Sequence, residues 1–239
     1  MNPIKFVQSW DPVEGRKQEY ASFMIEAFQP AMKNQGLEVV FGWYTLTGGG
    51  TQVVLESLAE SLGQVENALC DENFQDLLHR FMNLVSGYSS QVFQAAPWEF
   101  ARGASTRADA KLMQVWSVRP GKQEAYDRFL KDIYLPQMTA MGLAVNSAWH
   151  LMVGAGPRVH ADILVPDLQA VIRPFMDERY LQLLTRMAEV VTLFESRVLV
   201  SHQTLLHVLH AAYGRAIREV APREIHAMVG PVGDQEGRE

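Results

Sequence analysis

The sequence contains only one cysteine, Cys70, among its 239 residues. A single cysteine cannot form a disulfide bond within the chain. Sparse use of cysteine is typical of proteins in a reducing compartment. Cysteine content therefore favours a cytoplasmic protein that is stabilised by an ordinary hydrophobic core.

The chain also lacks an excess of positive charge, a long apolar run and a signal-peptide pattern. Lysine and arginine number 21 against 27 acidic residues, which gives a formal net charge of −6. This balance offers no electrostatic reason to bind nucleic acid. No apolar run approaches the roughly 18 residues that a membrane-spanning helix needs, and the N-terminal residues have no charged-then-apolar order. We therefore expect no nucleic-acid or membrane partner.

Common catalytic motifs are missing as well. The sequence contains no Gly-x-Ser-x-Gly, no Walker-type loop, no Gly-x-Gly-x-x-Gly and no His-Glu-x-x-His. Each of these motifs identifies a reaction class, so their absence leaves the chemistry open. The stretch Gly48–Gly50 precedes a predicted strand and not a helix, so it does not form a phosphate-binding loop.

An internal repeat is present. Residues 5–10 recur in similar form as residues 111–116, a shift of 116 − 10 = 106, and the same shift continues without a gap. Identical pairs at this spacing include Gly15/Gly121, Tyr20/Tyr126, Phe23/Phe129, Pro30/Pro136, Gly36/Gly142, Trp43/Trp149, Gly48/Gly154, Leu77/Leu183 and Val92/Val198. One register over roughly ninety residues indicates a duplicated unit.

Each copy has the element order β-α-β-β-α-β. Strand patterns at 4–10, 37–46, 53–58 and 88–93 surround two helical patterns, the second at 62–85, and the second copy repeats this order with its second helical pattern at 168–194. A proline late in the first helix is expected to kink or end it. Such a ferredoxin-like unit leaves one sheet face bare. We therefore predict an α+β fold in which two tandem repeats pack their bare faces together as a closed eight-stranded barrel.

The predicted domain organisation follows from the repeat. The first repeat covers 1–95, a polar linker 96–109, the second repeat 110–201, and a C-terminal helix with a flexible tail 202–239. Gln8 and Gln114 recur on the first strand of each copy, either as a buried amide pair or as exposed strand ends. The C-terminal helix could mediate a homo-oligomer.

The two copies resemble the dimeric α+β barrel superfamily, and within it the NIPSNAP-like branch. The residues that carry the resemblance are Gly36-Leu37, Trp43 and Gly48, with their second-copy equivalents Gly142-Leu143, Trp149 and Gly154. The resemblance implies an intramolecular version of that barrel with ligand-sized cavities. It also implies a choice among cofactor-independent monooxygenases, isomerases, haem-binding proteins and proteins of unknown role.

The strongest candidate site contains His150, His160 and Asp162. His160 and Asp162 are two apart on one strand and share a face, and a short turn could bring His150 close to them. Two imidazoles and a carboxylate suit a divalent metal, or a catalytic His150 base oriented by Asp162. The alternative is that backbone groups or water satisfy these side chains.

Aromatic residues suggest a second kind of site. Trp43, Tyr44 and Trp149, with Asn146 and His160, could bind an apolar or aromatic ligand, although paired tryptophans also suit core packing. We expect no obligatory cofactor, with haem or a divalent metal as alternatives. His79 on a predicted helix is the candidate haem ligand, and His207 with His210 is a further candidate metal pair.

Three functions therefore remain open from the sequence. The first is a protein that binds a small apolar or aromatic molecule. The second is a cofactor-independent monooxygenase or isomerase that uses His150 as its base, with a haem-binding protein as a further variant. The third is a structural module that assembles through its C-terminal helix.

Overall fold

A computed structural model describes residues 3–96 and 108–213, and side chains up to residue 209. Within these residues the contacts form two compact units. The first unit contains residues 3–44, 51–92 and 202–213, and the second contains 45–50, 93–96 and 108–201. Nearly all of the proposed linker 96–109 lies outside the described residues, as do the end of the predicted C-terminal helix and the predicted tail.

The first repeat contains four strands and helical segments in the predicted order. Its elements are β1 Ile4–Pro12, α1 Lys17–Phe23, a π-helical turn Met24–Phe28, α2 Gln29–Asn34, β2 Glu38–Thr47, β3 Val53–Ala59, α3 Leu62–Cys70, α4 Glu72–Met82 and β4 Val85–Ala95.

The second repeat has the same order of elements. They are β5 Ala110–Val118, α5 Gln123–Phe129, a π-helical turn Leu130–Tyr134, α6 Leu135–Ala140, β6 Ser147–Val153, β7 Val159–Val165, α7 Leu168–Phe175, α8 Glu178–Met187 and β8 Val191–Val200. The described part of the C-terminal helix is α9 His202–Tyr213.

The strands form one continuous antiparallel arrangement. Their hydrogen-bonded order is β1-β3-β2-β8-β5-β7-β6-β4, and this order closes on itself. The predicted fold class, two βαββαβ repeats in a closed α+β sheet, is confirmed. The packing of the two bare sheet faces on each other stays a prediction. Among the described helices, none is both long and apolar enough to cross a membrane.

The proline in the first helix of each copy is accommodated by a π-helical turn. The Gln29 amide donates to the Met24 carbonyl, five residues back, directly before Pro30. The Leu135 amide does the same with the Leu130 carbonyl before Pro136. Because proline has no N–H, the wider turn leaves fewer carbonyls without a donor. The helix therefore continues past the proline in both copies.

The second helical pattern of each copy was predicted too long. In the first copy it divides at Asp71, whose backbone is extended and whose carboxylate accepts from the Phe74 amide as an N-cap. A capping carboxylate starts a new helix here, which periodicity alone did not reveal. In the second copy the predicted helix 168–194 ends at Met187, and β8 begins already at Val191.

Large side chains fill the layer between each sheet and its helices. The Trp10 indole donates to the Tyr20 hydroxyl at 2.9 Å and packs edge-on against Phe81. The Trp116 indole donates to the Tyr126 hydroxyl at 3.1 Å. These side chains are fully buried, so a ligand is better sought on the opposite sheet face.

Gln8 and Gln114 are both buried on the helix side of the sheet. The Gln114 amide donates to the Tyr180 hydroxyl at 2.9 Å, and its carbonyl accepts from the Tyr134 hydroxyl. The Gln8 amide donates to Tyr88 at 2.8 Å, but among the described residues its carbonyl oxygen has no hydrogen-bond partner. Phe28 stands at the position of Tyr134 and has no hydroxyl to donate. The amides are thus a buried pair in unequal surroundings.

Leu193 has a left-handed backbone with φ +54°, and its first-copy equivalent Gly87 has φ +61°. The repeat thus keeps this conformation at the start of β4 and β8 even where glycine is replaced. A left-handed conformation is strained for a residue with a Cβ. The Leu193 side chain is 63% exposed, so little packing compensates for the strain.

Leu193→Gly is therefore expected to raise the free energy of unfolding by about 0.5–1 kcal/mol, because relief of the strain exceeds the added flexibility of the unfolded chain. Urea or thermal denaturation measures the change. Leu193→Ala is the control, since it removes the exposed side chain but keeps the strain. Equal stability of the two variants would contradict the explanation.

Candidate functional site

Alternation along β7 determines which side chains share a sheet face. Gln114 lies opposite Ala161 and contacts Tyr134 and Tyr180, so the Ala161 side faces the helices. His160 and Asp162 therefore lie on the other side. We call this side of β5–β8 the helix-free face of the second unit.

The strand register determines which residues are neighbours on the helix-free face. His160 lies opposite Val115 on β5 and Trp149 on β6. The next row toward the end of β7 contains Asp162 between Met113 and Ser147, since positions two apart repeat on one face. Apolar, aromatic and ionisable side chains are thus mixed on a largely buried surface.

Asp162 is held in a buried ion pair. Its carboxylate lies 2.7 Å from the Lys111 ammonium and accepts from the Trp149 indole at 3.0 Å and from the Ser147 hydroxyl at 3.1 Å. His150 lies opposite Val159, on the other face of the sheet from this carboxylate. The predicted role of Asp162 beside a His150 base is therefore wrong.

The first unit contains an equivalent cluster. The Lys5 ammonium lies 3.3 Å from the Glu56 carboxylate, which accepts from the Trp43 indole at 3.1 Å. Both copies thus carry a lysine, a carboxylate and a tryptophan at equivalent positions, so Asp162 is not a residue type specific to the second copy. The clusters are a shared structural feature of the repeat.

His150 lies opposite Val159, on the helix side of the sheet and away from His160 and Asp162. The prediction that His150 lies close to these two residues is therefore wrong. Among the described residues no group of three or more histidine, cysteine or acidic side chains could hold a metal ion, so the proposed divalent-metal site is not formed. His150 is half-buried, and burial lowers the pKa of its imidazole below the usual value.

His160 is a polar residue on this face that the first copy does not have. Its side chain is 8% exposed, and its ring centroid lies 4.2 Å from that of Phe93. Val54 stands at the equivalent position of the first copy. Phe93, at the end of β4, belongs to the second unit. His160, Trp149 and Phe93 thus form an imidazole-and-aromatic group within one unit.

The other predicted ligand residues do not join this group. Trp43 belongs to the Glu56 cluster of the first unit and stacks on Phe41. Tyr44 follows it on the opposite side of β2, with its ring 6.1 Å from that of His202, and burial raises the pKa of its hydroxyl. Asn146 serves the backbone, because its side-chain oxygen accepts from the Leu164 amide.

Sequence reasoning missed Phe93 and Lys111 as members of this surface. The sequence does contain a signal for Lys111, because both copies have a lysine at the equivalent position of their first strand. Its 1% exposed side chain requires a buried acidic partner. The sequence contains no comparable signal for Phe93, since only strand pairing brings the end of β4 next to β6.

His79 and His160 do not fit the axial ligand of a haem group. His79, the predicted axial ligand, is exposed on α4, and His160 is packed against Phe93. Neither presents an imidazole toward a buried porphyrin. His207 is exposed, and the side chain of His210 lies outside the described residues, so the predicted metal pair stays untested.

Comparison with known proteins shows similarity at the level of structure. No protein-family model matches the sequence, and no curated protein matches it at a significant level. A proposed monooxygenase from Lactobacillus acidophilus has a TM-score of 0.51 at 11% identity, covering 84% of this chain and 94% of that chain. An anthrone oxidase-like protein has a TM-score of 0.51 at 15% identity, covering 83% and 91%.

A mutant chlorite dismutase from Candidatus Nitrospira defluvii has a TM-score of 0.54 at 9% identity, covering 83% of this chain and 91% of that chain. A NIPSNAP family protein from Agrobacterium tumefaciens covers only 44% of this chain with a TM-score of 0.33, so the NIPSNAP-like branch stays a prediction. Identities this low show the fold alone. The chain has the fold of the dimeric α+β barrel proteins, with both repeats in one polypeptide.

Proposed function

We propose that this protein binds a small apolar or aromatic molecule on the helix-free face of the second unit, in contact with His160 and Trp149. The observation that carries the proposal is the buried imidazole of His160 beside the Phe93 ring, at a position where the first copy has Val54. A purely structural role is filled by valine in the first copy. The histidine therefore points to a task specific to the second copy.

The burial of side chains along this face supports entry of the ligand from one end of the sheet. Lys111 is 1% exposed and His160 is 8% exposed, while Arg158, just before β7, is exposed. His160, the second residue of β7, thus lies close to this end of the sheet. Aromatic rings with a few polar groups are the typical lining of small-molecule sites, and Trp149 with His160 provides this combination.

Fluorescence titration with the neutral aromatic probe N-phenyl-1-naphthylamine tests this proposal. We expect saturable binding that weakens about five-fold in His160→Val, since loss of one aromatic contact and a polar group corresponds to about 1 kcal/mol. The valine occurs at the equivalent position of the first copy, which favours a folded variant. His79→Gln, on the exposed surface of α4, is the control and should leave binding unchanged. Absence of saturable binding, or equal affinity in folded His160→Val, would overturn the proposal.

A second candidate is cofactor-independent oxygenation or isomerisation with His150 as the base. It is supported by the structural neighbours described as a proposed monooxygenase and an anthrone oxidase-like protein. It is also supported by the lowered pKa of the half-buried His150, because a neutral imidazole can accept a proton from the substrate. Asp162 has no part in this mechanism.

The pH dependence of dioxygen uptake with an anthrone as substrate tests the second candidate. A base acts in its deprotonated form, so the rate should rise with pH through the His150 pKa, below the usual value for histidine. His150→Ala should remove this step in the profile, whereas His79→Gln should retain it. An unchanged profile in His150→Ala would exclude the role.

Three further expectations remain predictions. They are a homo-oligomer formed through the C-terminal helix, a cytoplasmic location, and the structural-module function in which no ligand is bound. Failure of the probe titration described above would favour the structural module.

A further inference from the structure

The two copies differ in charge on their helix-free faces and at the ends of those faces. At a shift of 106, Arg158 replaces Gln52 and Arg197 replaces Gln91, while Glu195 replaces Ser89. The second copy thus gains two guanidinium groups and one carboxylate. Because the first copy forms the same fold without these charges, the fold itself does not require them.

Arg197 interacts with neighbours within the second unit. Its guanidinium donates to the Glu195 carboxylate at 3.0 Å. It also lies directly over the Gly48–Gly50 turn, since a Cβ on Gly50 would come within 2.6 Å of Arg197 Nη1. The charge of Arg197 is therefore largely balanced by Glu195.

Arg158 has a fixed backbone and an exposed side chain. Its amide donates to the Ser117 hydroxyl at 3.1 Å, and its carbonyl accepts from the Leu151 amide at 2.9 Å. None of the ion pairs found among the described residues involves Arg158. Its guanidinium charge is therefore available to an anion that reaches the end of the sheet.

Arg158 is also next to the proposed binding residues. It lies two residues before His160, in the bend that leads into β7, so the Cα atoms of the two residues are at most about 7 Å apart. Trp149 lies opposite His160 on the neighbouring strand. A molecule with an aromatic body near His160 and Trp149 would place a group on its outer edge beside Arg158.

We infer that the ligand is an aromatic acid whose anionic group is bound by Arg158 while its ring contacts His160 and Trp149. This inference rests on the proposed binding function and specifies the class of molecule. A guanidinium group forms two parallel hydrogen bonds with a carboxylate or a similar oxyanion, which neither lysine nor glutamine can reproduce.

Two probes that differ in one group test the inference. 8-Anilinonaphthalene-1-sulfonate has the ring system of N-phenyl-1-naphthylamine with an added sulfonate. We expect Arg158→Gln to weaken binding of the anionic probe about ten-fold and to leave the neutral probe unchanged. Glutamine occupies the equivalent position of the first copy. Arg128→Gln is the control, since it removes the same charge from an exposed site on α5.

The outcomes separate this inference from the proposed function. If neither probe binds saturably, the proposed function and the inference both fail. If the neutral probe binds through His160 and Arg158→Gln leaves the anionic probe unaffected, only the inference fails. An equal loss of anionic-probe binding in Arg128→Gln would also overturn it, because the effect would then be general surface charge.

Discussion

Asp162→Ala is expected to lower the free energy of unfolding by about 3–5 kcal/mol, because it removes a carboxylate that lies 2.7 Å from the buried Lys111 ammonium. Lys111 is 1% exposed, so water cannot replace the lost partner. The Trp149 indole and the Ser147 hydroxyl lose the same acceptor. Urea denaturation followed by circular dichroism measures the change.

The double variant Lys111→Met with Asp162→Leu is the matched control. It removes both charges and replaces them with apolar side chains of similar size, so we expect a much smaller loss than in Asp162→Ala. The Lys5–Glu56 cluster provides an internal comparison, and Glu56→Ala should resemble Asp162→Ala. A loss below about 1 kcal/mol in Asp162→Ala would show that the charge is not confined to the folded interior.

Gly48→Ala is expected to lower the free energy of unfolding by at least about 2 kcal/mol. Gly48 has φ +103°, a conformation that residues with a Cβ rarely adopt. An added Cβ would also lie 2.7 Å from the backbone oxygen of Ser196 on β8. The same Cβ would lie 3.0 Å from the Arg197 Cα. Because both neighbours are backbone atoms of β8, neither can move without disturbing the strand.

Gly49→Ala is the control for this prediction. A Cβ on Gly49 would meet no atom within 4 Å, so thermal denaturation should show little change. The comparison separates the close approach of one glycine from the general flexibility of a glycine-rich turn. Similar losses in both variants would contradict a specific requirement at Gly48.

The proposed function and the buried ion pairs concern different residues of one surface. Asp162 and Lys111 have equivalents in the first unit and stabilise the fold. His160 and Arg158 are replaced by Val54 and Gln52 in the first copy. Stability assays on the first pair and binding assays on the second should therefore give separate effects.

The duplicated βαββαβ order follows from the amino-acid sequence alone. A single shift of 106 residues aligned glycines, prolines and tryptophans that have strict conformational or packing roles, and these roles do not depend on distant parts of the chain. Helix ends do not follow from hydrophobic periodicity in the same way. The extended backbone at Asp71 divides a helical pattern that hydrophobic periodicity alone presents as continuous.

The side chains that meet at the site depend on strand pairing in the folded protein. Side chains alternate across a strand, so the pairing of Trp149 with His160, and of His150 with Val159, places the two histidines on opposite faces. A shift of one residue in this pairing would have reversed the result. The sequence lists the residues of both strands, but register depends on hydrogen bonds formed between them and on the burial of one face.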